Sequence, residues 1–397
     1  MDNILVIEPY VDVVLGSYSV LLYNMLTGDR YISAEQSIVS IFAEHNKNLY
    51  SFDVPSQIVN DKHFINFIRD ISRKGIGKML QSKVVAPVQL NASYNLQFVS
   101  ISNKNSKQQI SSLNIIDVAI YLNGETEKHT YPDAHKQFLC CKKASGNIEF
   151  DDIVSFLEPL NANNSIVRLH LLGGNVFQYS KFEALLQYFE HNFPKSALFI
   201  HCNFADLIED CIMSFEQKCK YIVTVYPDDD KQRLSLLIGT ECEFQFVVEC
   251  ENDLETIEQL VSNYQIGKYS IVPYYNGLNI KFFEENVFTT VEDILQHPIS
   301  MNEIQKNKAI NTSIFGRIII DYDGNVYDNL NFSSIGQCYS DSVIQIAEKE
   351  ISEKLRWFSI RNCVEPCKRC LYRNLCTPVG NLEFFMNQNN LCHAYQD

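Results

Sequence analysis

Residues 367–376 read CKRCLYRNLC, and one more cysteine follows at position 392. The spacing is C-x2-C-x5-C with a late fourth thiol, flanked on both sides by proline, glycine and asparagine. Two cysteines three positions apart can face one centre from a tight turn, and four thiolates are the ligand set of a structural zinc ion or a [4Fe–4S] cluster. The segment is therefore predicted to be a metal-held loop, with zinc or a cluster left open. The predicted ligands are Cys367, Cys370, Cys376 and Cys392.

The composition limits the class of protein. At 397 residues with 46% hydrophobic side chains, the chain is long enough for two or three domains with a substantial core. A formal net charge of −15 argues against nucleic acid and anionic membranes as partners, because phosphates are bound by clustered Lys and Arg. The sequence has no apolar run of the roughly 18–20 residues that span a bilayer. Thirteen cysteines without a signal peptide predict a cytoplasmic protein whose thiols bind metal or stay free.

The first 85 residues have the pattern of a small α+β module. The predicted elements are strands at 4–7, 11–15 and 19–23 and helices at 33–43 and 61–73. Ser33 followed by Gln36 is a capping-box pattern, which places the start of the first helix. Strands followed by helices over this length predict a winged-helix-like unit, and the alternative is a structural cap on the next domain. Residues 83–97 are the predicted linker.

From residue 117 onward, apolar runs alternate with helical patterns. Strands are predicted at 117–122, 166–172, 197–201, 221–226, 243–248 and 269–274, and helices at 151–158, 181–191, 204–217 and 254–263. This alternation implies parallel strands joined by right-handed crossovers. Six such strands suit a partial barrel as well as a doubly wound sheet, and both place functional loops at the carboxyl ends of strands. Gly173 and Gly174 form one such loop, where glycine lets the backbone approach a ligand.

Residues 286–397 are predicted to form a cysteine-rich extension. The expected elements are a helix at 286–295, a hairpin at 315–327 and a helix at 340–357. Asp321 and Asp323 lie in the turn of that hairpin, but no acidic ligand follows at the spacing of an EF-hand loop. The turn is therefore predicted to be structural.

These motifs resemble those of radical S-adenosylmethionine (SAM) enzymes. That family carries Gly-Gly-Glu in the loop after the second barrel strand, where backbone groups meet the methionine amine; here the loop is Gly173, Gly174 and Asn175. The resemblance implies a partial (β/α)6 barrel at 86–285. It also implies that 1–85 is a peptide-recognition module, to whose hairpin edge a leader peptide adds as a strand.

The extension at 286–397 is similar to the SPASM extension of peptide-modifying radical enzymes. By this resemblance, the four cysteines of the opening motif match the ligands of an auxiliary [4Fe–4S] cluster, with zinc as the alternative. A second auxiliary cluster is not matched, because Gly380 stands where the family has a ligand. Cys338 and Cys363 lie near the remaining positions, and Cys363 is a possible substitute ligand.

One departure from the family decides the expected activity. The catalytic cluster of radical enzymes is held by C-x3-C-x2-C after the first barrel strand, whereas residues 123–143 read NGETEKHTYPDAHKQFLCCKK and contain only Cys140 and Cys141. Adjacent cysteines point in different directions and are poor co-ligands of one cluster. Without three thiolates, the radical cleavage of SAM is not expected. Cys140 and Cys141 are interpreted as small, partly buried apolar residues.

The combination looks like the pseudo-radical-SAM proteins of ribosomal peptide maturation systems of the Bacteroidota type. It implies a non-catalytic accessory protein that binds a precursor peptide, while a partner radical maturase or another modifying enzyme does the chemistry. Two alternatives stay open. One is residual SAM binding at the Gly173–Gly174–Asn175 loop. The other is non-radical catalysis, for which His201 at a strand end is a candidate among the histidines at 129, 135, 170 and 201.

Overall fold

The structure is a computed structural model that describes residues 3–44, 51–81, 114–124, 131–161, 165–207, 219–240 and 242–394. It shows an α/β protein with one large, mostly parallel sheet and two small antiparallel sheets. The strands are β1 Ile4–Ile7, β2 Val11–Leu15, β3 Val20–Asn24, β4 Arg30–Ser33, β5 Ser51–Asp53, β6 Gly77–Leu80, β7 Asp117–Tyr121, β8 Arg168–Leu172, β9 Ala197–Asn203, β10 Lys220–Val225, β11 Cys242–Val248, β12 Tyr269–Pro273, β13 Arg317–Ile320, β14 Asn325–Tyr327 and β15 Gly336–Gln337. The helices are α1 Gln36–Glu44, α2 Ser56–Val59, α3 Lys62–Arg73, α4 Ala134–Gln137, α5 Phe150–Asn161, α6 Phe182–Asn192, α7 Glu251–Tyr264, α8 Ile280–Asn286, α9 Val291–Ile294, α10 Met301–Ala309, α11 Val343–Glu353 and α12 Asn381–Met386, with short 3-10 turns between some of them.

The residues before position 81 form two three-stranded sheets with helices packed on them. The sheet orders are β5-β1-β6 and β2-β3-β4. In α3, Phe64, Phe67 and Ile71 recur at helical spacing and are buried, and the Asp61 carboxylate accepts a hydrogen bond from the Phe64 amide at 2.9 Å, which caps the helix. Both predicted helices are present, but the predicted Ser33 cap is wrong: Ser33 ends β4, its hydroxyl accepts from the Glu35 amide at 3.1 Å, and α1 begins only at Gln36. The sequence reading anticipated three strands in the first 24 residues, and β4 completes the second sheet.

The large sheet has the strand order β12-β11-β10-β9-β8-β7-β13-β14-β15. Its first six strands in the chain, β7 to β12, pair in parallel in sequential order, as the alternation predicts. β13 then pairs in parallel with β7, and β14 returns antiparallel as the predicted hairpin. One sheet therefore crosses position 285, and the division of the chain at 285/286 stays a prediction.

The two faces of the large sheet differ in chemistry. Along β7, Val118 and Ile120 point to the face covered by α5 and α6 and belong to the main apolar core. The intervening Asp117, Ala119 and Tyr121 point to the opposite face, because successive side chains alternate along a strand. This second face also carries His170 and His201, and it is called the histidine face below.

The C-terminal region departs from the predicted elements in two places. The helix expected at 286–295 is split, because α8 ends at Asn286 and Thr290 caps a new helix, α9, by accepting from the Asp293 amide at 3.1 Å. The helix expected at 340–357 ends at Glu353, where Lys354 adopts a left-handed conformation with φ of 50°. The helix α10 was not predicted, although Ser300 and Glu303 form its capping box.

The predicted linker at 83–97 and most of the helix predicted at 204–217 lie outside the described residues.

The N-terminal strands pack against the C-terminal region rather than standing alone. Val14, Leu21 and Tyr23 of β2 and β3 share one apolar cluster with Ile304 of α10 and Leu375 of the cysteine motif. The Tyr23 hydroxyl accepts a hydrogen bond from the Ile299 amide at 2.8 Å. In the described part of the chain, no helix has the length and hydropathy of a membrane span.

Candidate functional site

The four cysteines predicted as ligands line a single cavity. The cavity is small, with a volume of about 20 Å³, and Cys367, Cys370, Cys376 and Cys392 all contribute to its wall. Cys367 begins a 3-10 turn that brings Cys370 round after it. Cys392 is held at the cavity by Thr289, which is distant in the chain: the Thr289 amide donates to Leu391 O at 3.0 Å and the His393 amide donates to Thr289 O at 2.9 Å.

A buried arginine holds the walls of this cavity together. The Arg361 guanidinium lies 3.6 Å from Cys367 Sγ and makes a two-pronged ion pair with Glu383 at 2.6 and 3.0 Å. Its Nε donates to the carbonyl of Thr377, next to Cys376, at 2.7 Å. Glu383 in turn accepts from the Gly380 amide at 2.8 Å at the start of α12. One side chain thus fixes the segments that carry Cys367 and Cys376.

Burial makes three of the four cavity thiols weaker acids by raising their pKa. Burial raises the pKa of Cys367 to about 11, although the Arg361 charge opposes that shift, and burial also raises the pKa of Cys370 and Cys376. The Tyr372 amide donates to Cys370 Sγ at 3.4 Å, and the Cys367 thiol donates to Asn389 O at 3.2 Å. The Tyr372 amide at Cys370 Sγ and the Arg361 guanidinium at Cys367 Sγ are donors that suit metal-bound thiolates, and four thiols fit the predicted group once Cys367 gives up its bond to Asn389 O. Among the described residues, no three His, Cys, Asp or Glu side chains form a ready-made site for a single ion.

The two remaining C-terminal cysteines lie elsewhere. Cys338 is buried in the main core, where its amide donates to Gly324 O at 2.8 Å, and burial raises the pKa of its thiol to about 11. Cys363 is exposed in the turn before the motif. Within the described residues, neither is part of the cavity wall that the four predicted ligands share. Gly380, at the position where the family has a ligand, begins α12.

The Gly173–Gly174–Asn175 loop is hydrogen-bonded to the chain itself. The Gly174 amide donates to Asn123, to its main-chain oxygen at 2.9 Å and its side-chain oxygen at 3.1 Å. The Gly173 carbonyl accepts from the Lys142 amide at 2.8 Å. The carbonyl of Asn175 accepts from the Asn123 side chain at 2.6 Å, while its own side-chain oxygen accepts from the Phe177 amide at 3.1 Å. A Cβ at Gly173 would lie 2.3 Å from Asn123 Oδ1, so glycine is required by this contact with the chain.

Cys140 and Cys141 are fully buried on the histidine face. Cys140 belongs to an apolar cluster with Tyr131 and Tyr226, whose rings stack at 4.5 Å between centroids. The Cys141 thiol donates to the carbonyl of His201 at 3.3 Å. Burial raises the pKa of Cys140 to about 12 and that of Cys141 well above its ordinary value. Both are therefore neutral thiols in contact with protein, which agrees with their interpretation as small buried residues.

The structure adds a polar array that the sequence reading missed. Asp117 lies at the start of β7, in register with Arg168 on β8 and Arg317 on β13, and its Oδ2 accepts from both guanidiniums at 2.9 to 3.1 Å. Its Oδ1 lies 3.5 Å from His170 Nε2, and His170 Nδ1 lies 3.0 Å from His201 Nε2. Three neighbouring strands therefore carry a chain of one carboxylate and two imidazoles.

The carboxylate sets the tautomers along this array. Burial alone would raise the pKa of Asp117, but Arg317, His170 and Arg168 outweigh it and leave the pKa below its ordinary value. Burial lowers the pKa of His170 to about 4 and that of His201 well below its ordinary value, so both imidazoles are neutral. At 3.5 Å, Asp117 Oδ1 and His170 Nε2 form no hydrogen bond, but the nearby negative charge favours the His170 proton on Nε2, and His170 Nδ1 then accepts from His201 Nε2–H. His201 Nδ1 keeps a lone pair, and it has no hydrogen-bond partner among the described residues.

A second buried ion pair lies on the same face. Lys142, next to Cys141, is 2.5 Å from the Asp321 carboxylate, and its ammonium lies over the rings of Tyr121 and Tyr322. The sequence predicts Asp321 in the structural turn of the β13–β14 hairpin, and in the structure its carboxylate accepts a hydrogen bond from the Lys142 ammonium. His129, another histidine that the sequence offered as a catalytic candidate, lies outside the described residues.

Comparison with known proteins gives distant structural likeness. Neither the protein-family models nor the curated proteins give a match to this sequence. The chain is similar to the crystal structure of Streptococcus suis SuiB, at 12% identity and a TM-score of 0.48 over 99% of each chain. It is similar to SuiB bound to precursor peptide SuiA at 12% identity and a TM-score of 0.47, again over 99% of each chain.

BtrN in complex with AdoMet and 2-DOIA is also similar, at 13% identity and a TM-score of 0.38 over 64% of this chain and 91% of BtrN. Identities this low and TM-scores below 0.5 describe a likeness in overall path. They assign neither a family nor an activity to this chain.

Proposed function

We propose that the chain is a non-catalytic, pseudo-radical-SAM accessory protein of a ribosomal peptide maturation system. In this proposal residues 1–85 bind the precursor peptide, residues 86–285 form a degenerate partial barrel, and residues 286–397 form a SPASM-like extension with one metal centre. A partner maturase or another modifying enzyme carries out the chemistry. The abundance of free thiols favours the cytoplasm as its compartment.

The metal centre is the part with the most direct support. The observation that carries it is the meeting of four thiols, from positions 367 to 392, at one cavity. A [4Fe–4S] cluster or a zinc ion bound there would cross-link segments that have little other regular structure. Iron, sulfide and zinc analysis of anaerobically purified protein tests this: about four irons or one zinc per chain is expected, and a metal-free protein contradicts it.

The absence of radical chemistry is supported by what occupies the histidine face. The segment after β7, where radical enzymes place three cluster cysteines, brings Cys140 and Cys141 into apolar packing and contact with His201. The polar groups of the Gly173–Asn175 loop are engaged by Asn123 and Lys142. Equilibrium dialysis with labelled SAM is expected to show no binding, and assays with reductant are expected to yield no 5′-deoxyadenosine. Formation of that product would overturn the proposal.

Peptide binding is supported by the open edge of the second N-terminal sheet. β4 is the terminal strand of β2-β3-β4, and Ile32 in its centre is 42% exposed. The Asn24 amide donates to Asp29 O at 2.8 Å, so by antiparallel alternation Tyr31 and Ser33 bond to β3 while the Ile32 amide points outward. An extended peptide can add to such an edge through main-chain hydrogen bonds.

The experiment that tests this proposal removes one backbone amide that points outward from β4. Ile32→Pro removes the N–H that a peptide strand would use and leaves the β3–β4 ladder intact. Ile271→Pro is the control, since Ile271 is 39% exposed on β12, the edge of the large sheet, and its amide also points outward. Calorimetry with a candidate precursor peptide that the wild type binds should show at least about tenfold weaker binding for Ile32→Pro only. Equal affinity in all three proteins contradicts a role for β4.

A second candidate function is non-radical chemistry on the histidine face. One observation favours it, namely the unpartnered lone pair of His201 Nδ1 at the end of the array that starts at Asp117. Mass spectrometry of the precursor peptide after incubation with the chain alone and SAM decides between the two. An unchanged peptide mass favours the accessory role, whereas a mass change that His201→Asn abolishes favours the enzyme.

A further inference from the structure

The five residues between Cys370 and Cys376 are the surface on which β2 docks. Asn374 Nδ2 donates to Asp12 Oδ2 at 2.7 Å, and Arg373 donates to the carbonyl of Leu15 at 2.9 Å. Leu371 lies so close to Gly16 that a Cβ there would be 3.1 Å from its methyl carbon. The remaining two residues of the loop, Tyr372 and Leu375, pack in the apolar cluster with β2 and β3. The loop between two predicted ligands therefore forms most of one side of an interface.

Asp12 makes this interface sensitive to the shape of the loop. Its carboxylate is 2% exposed and is held by Lys308 of α10 at 2.9 Å and by Asn374. If Asn374 turned away, Lys308 would still pair with the charge, but Asp12 Oδ2 would stay buried without its hydrogen-bond donor, which is unfavourable. Docking of β2 therefore requires Asn374 to be presented in one orientation.

Hydrogen bonds hold both the side chain and the main chain of Asn374 in one orientation. Its side-chain oxygen accepts from Asn362 at 3.1 Å, and its main-chain oxygen accepts from Asn307 at 3.2 Å. Asn307 also donates to Cys376 O at 3.3 Å, and the Arg373 guanidinium donates to Cys370 O at 2.8 Å. The bonds that orient the docking surface thus include the main chain of both cysteines that end the loop.

We propose that the metal centre holds the peptide-binding module in place: a metal bound by Cys370 and Cys376 closes the loop 371–375, and the closed loop docks β2 through Asp12. The inference rests on the metal centre and the peptide module of the proposed function. Fixing both ends of a short loop removes the conformations that misplace Asn374. By linkage, docking of β2 strengthens metal retention to the same degree that metal strengthens docking.

Hydrogen exchange on the full chain tests the first direction of this coupling. Metal-loaded and chelator-stripped protein are compared by mass spectrometry under identical conditions. Stripping should speed amide exchange in β2 and β3 at least about tenfold, because these strands lose their partner surface. β1 in the other N-terminal sheet is the internal control and should change far less. Equal exchange of β2 in the loaded and stripped proteins overturns the inference.

The reverse direction uses a matched pair of variants. Asp12→Asn keeps the size of the side chain and removes the charge that Lys308 and Asn374 hold, whereas Asp53→Asn makes the same change at an exposed position of β5. Metal affinity, measured by equilibrium competition with a chelator, should be about tenfold weaker for Asp12→Asn and unchanged for Asp53→Asn. Identical affinities for the wild type and both variants overturn the inference. If Asp12→Asn fails to fold, the wild-type exchange comparison still decides.

Metal analysis of the wild type separates the two levels of failure. A chain that contains no metal as purified removes the proposed metal centre, and this inference falls with it. A chain that holds its metal but shows uncoupled exchange and metal affinity loses only the coupling. The metal centre and the peptide-binding role then stand as independent properties.

Discussion

Two regions of this molecule contain clustered cysteines, and only in one of them do the thiols line a shared cavity. Cys367, Cys370 and Cys376 leave their turns toward a shared cavity, where Cys392 joins them. Cys140 and Cys141 are adjacent on an irregular segment, and each meets a different neighbour. Spacing explains the difference, because turns over two and five residues bring thiols back to one point while adjacent positions diverge. The cysteine pattern, rather than the number of cysteines, therefore predicts which thiols share one cavity.

The most drastic way to break this comparison is to remove one thiol from each region. Cys376→Ser is expected to lose nearly all bound metal and to lower the melting temperature strongly, because a structural metal contributes on the order of 10 kcal/mol to such regions. Cys140→Ser is expected to keep the full metal content, since Cys140 is enclosed by Tyr131 and Tyr226. Metal analysis with thermal unfolding measures both. Equal metal loss in the two variants would contradict the assignment.

A second test concerns the support beneath the cysteine cavity. Arg361→Gln leaves Glu383 buried without its partner and should destabilise the chain by about 3–5 kcal/mol. Lys368→Gln is the control, because Lys368 pairs with Glu365 at the surface and should change stability by less than about 1 kcal/mol. Urea unfolding at neutral pH gives both values. A small effect at Arg361 would show that the metal centre alone organises this region.

The buried histidines predict how the stability of the protein depends on pH. Because the pKa of His170 in the folded chain is about 4, the unfolded chain binds more protons between that pH and about 6.5. Stability should therefore be fully present above about pH 6.5 and fall by about 3 kcal/mol as pH drops toward 4, with His201 acting in the same direction.

Urea unfolding across this pH range should show a shallower decline for His170→Gln than for the wild type, because the variant lacks one titrating group. Asp117, Arg168 and Arg317 surround His170 and remain in both proteins. A variant with an unchanged pH profile would mean that other groups carry the acid sensitivity.

The smallest expected effect tests whether the glycine loop is filled by the chain itself. Gly173→Ala places a Cβ against Asn123 and should cost about 1–3 kcal/mol of stability. Gly267→Ala is the control, since no atom lies within 4 Å of a Cβ at that position. Thermal unfolding separates the two. A Gly173→Ala protein as stable as the control would show that Asn123 moves aside and that the loop can open.

Local patterns predicted much of the fold. The apolar runs located all six strands from β7 to β12 within a few residues, and apolar residues at helical spacing located α3. The helix predicted at 286–295 was misplaced at its start, because α8 ends at Asn286 and the Thr290 cap begins a separate short helix at Val291. The hairpin β13–β14 was found from its Asp-Gly turn, but nothing local indicated that β13 would lie beside β7. Sheet order depends on long-range packing, which periodicity does not encode.

The candidate site also has one part that the sequence predicts and another that only the tertiary structure reveals. The sequence by itself determined the four-cysteine set and the missing cluster motif, because residue type and short spacing decide which thiols can share a centre. Only the tertiary structure decided that Asp117, His170 and His201 form one array, since the register of three parallel strands places them side by side. It also decided that Asp12 of β2 docks on the cysteine loop. Contacts between positions far apart in the chain depend on strand order and register, and neither is written in any local stretch.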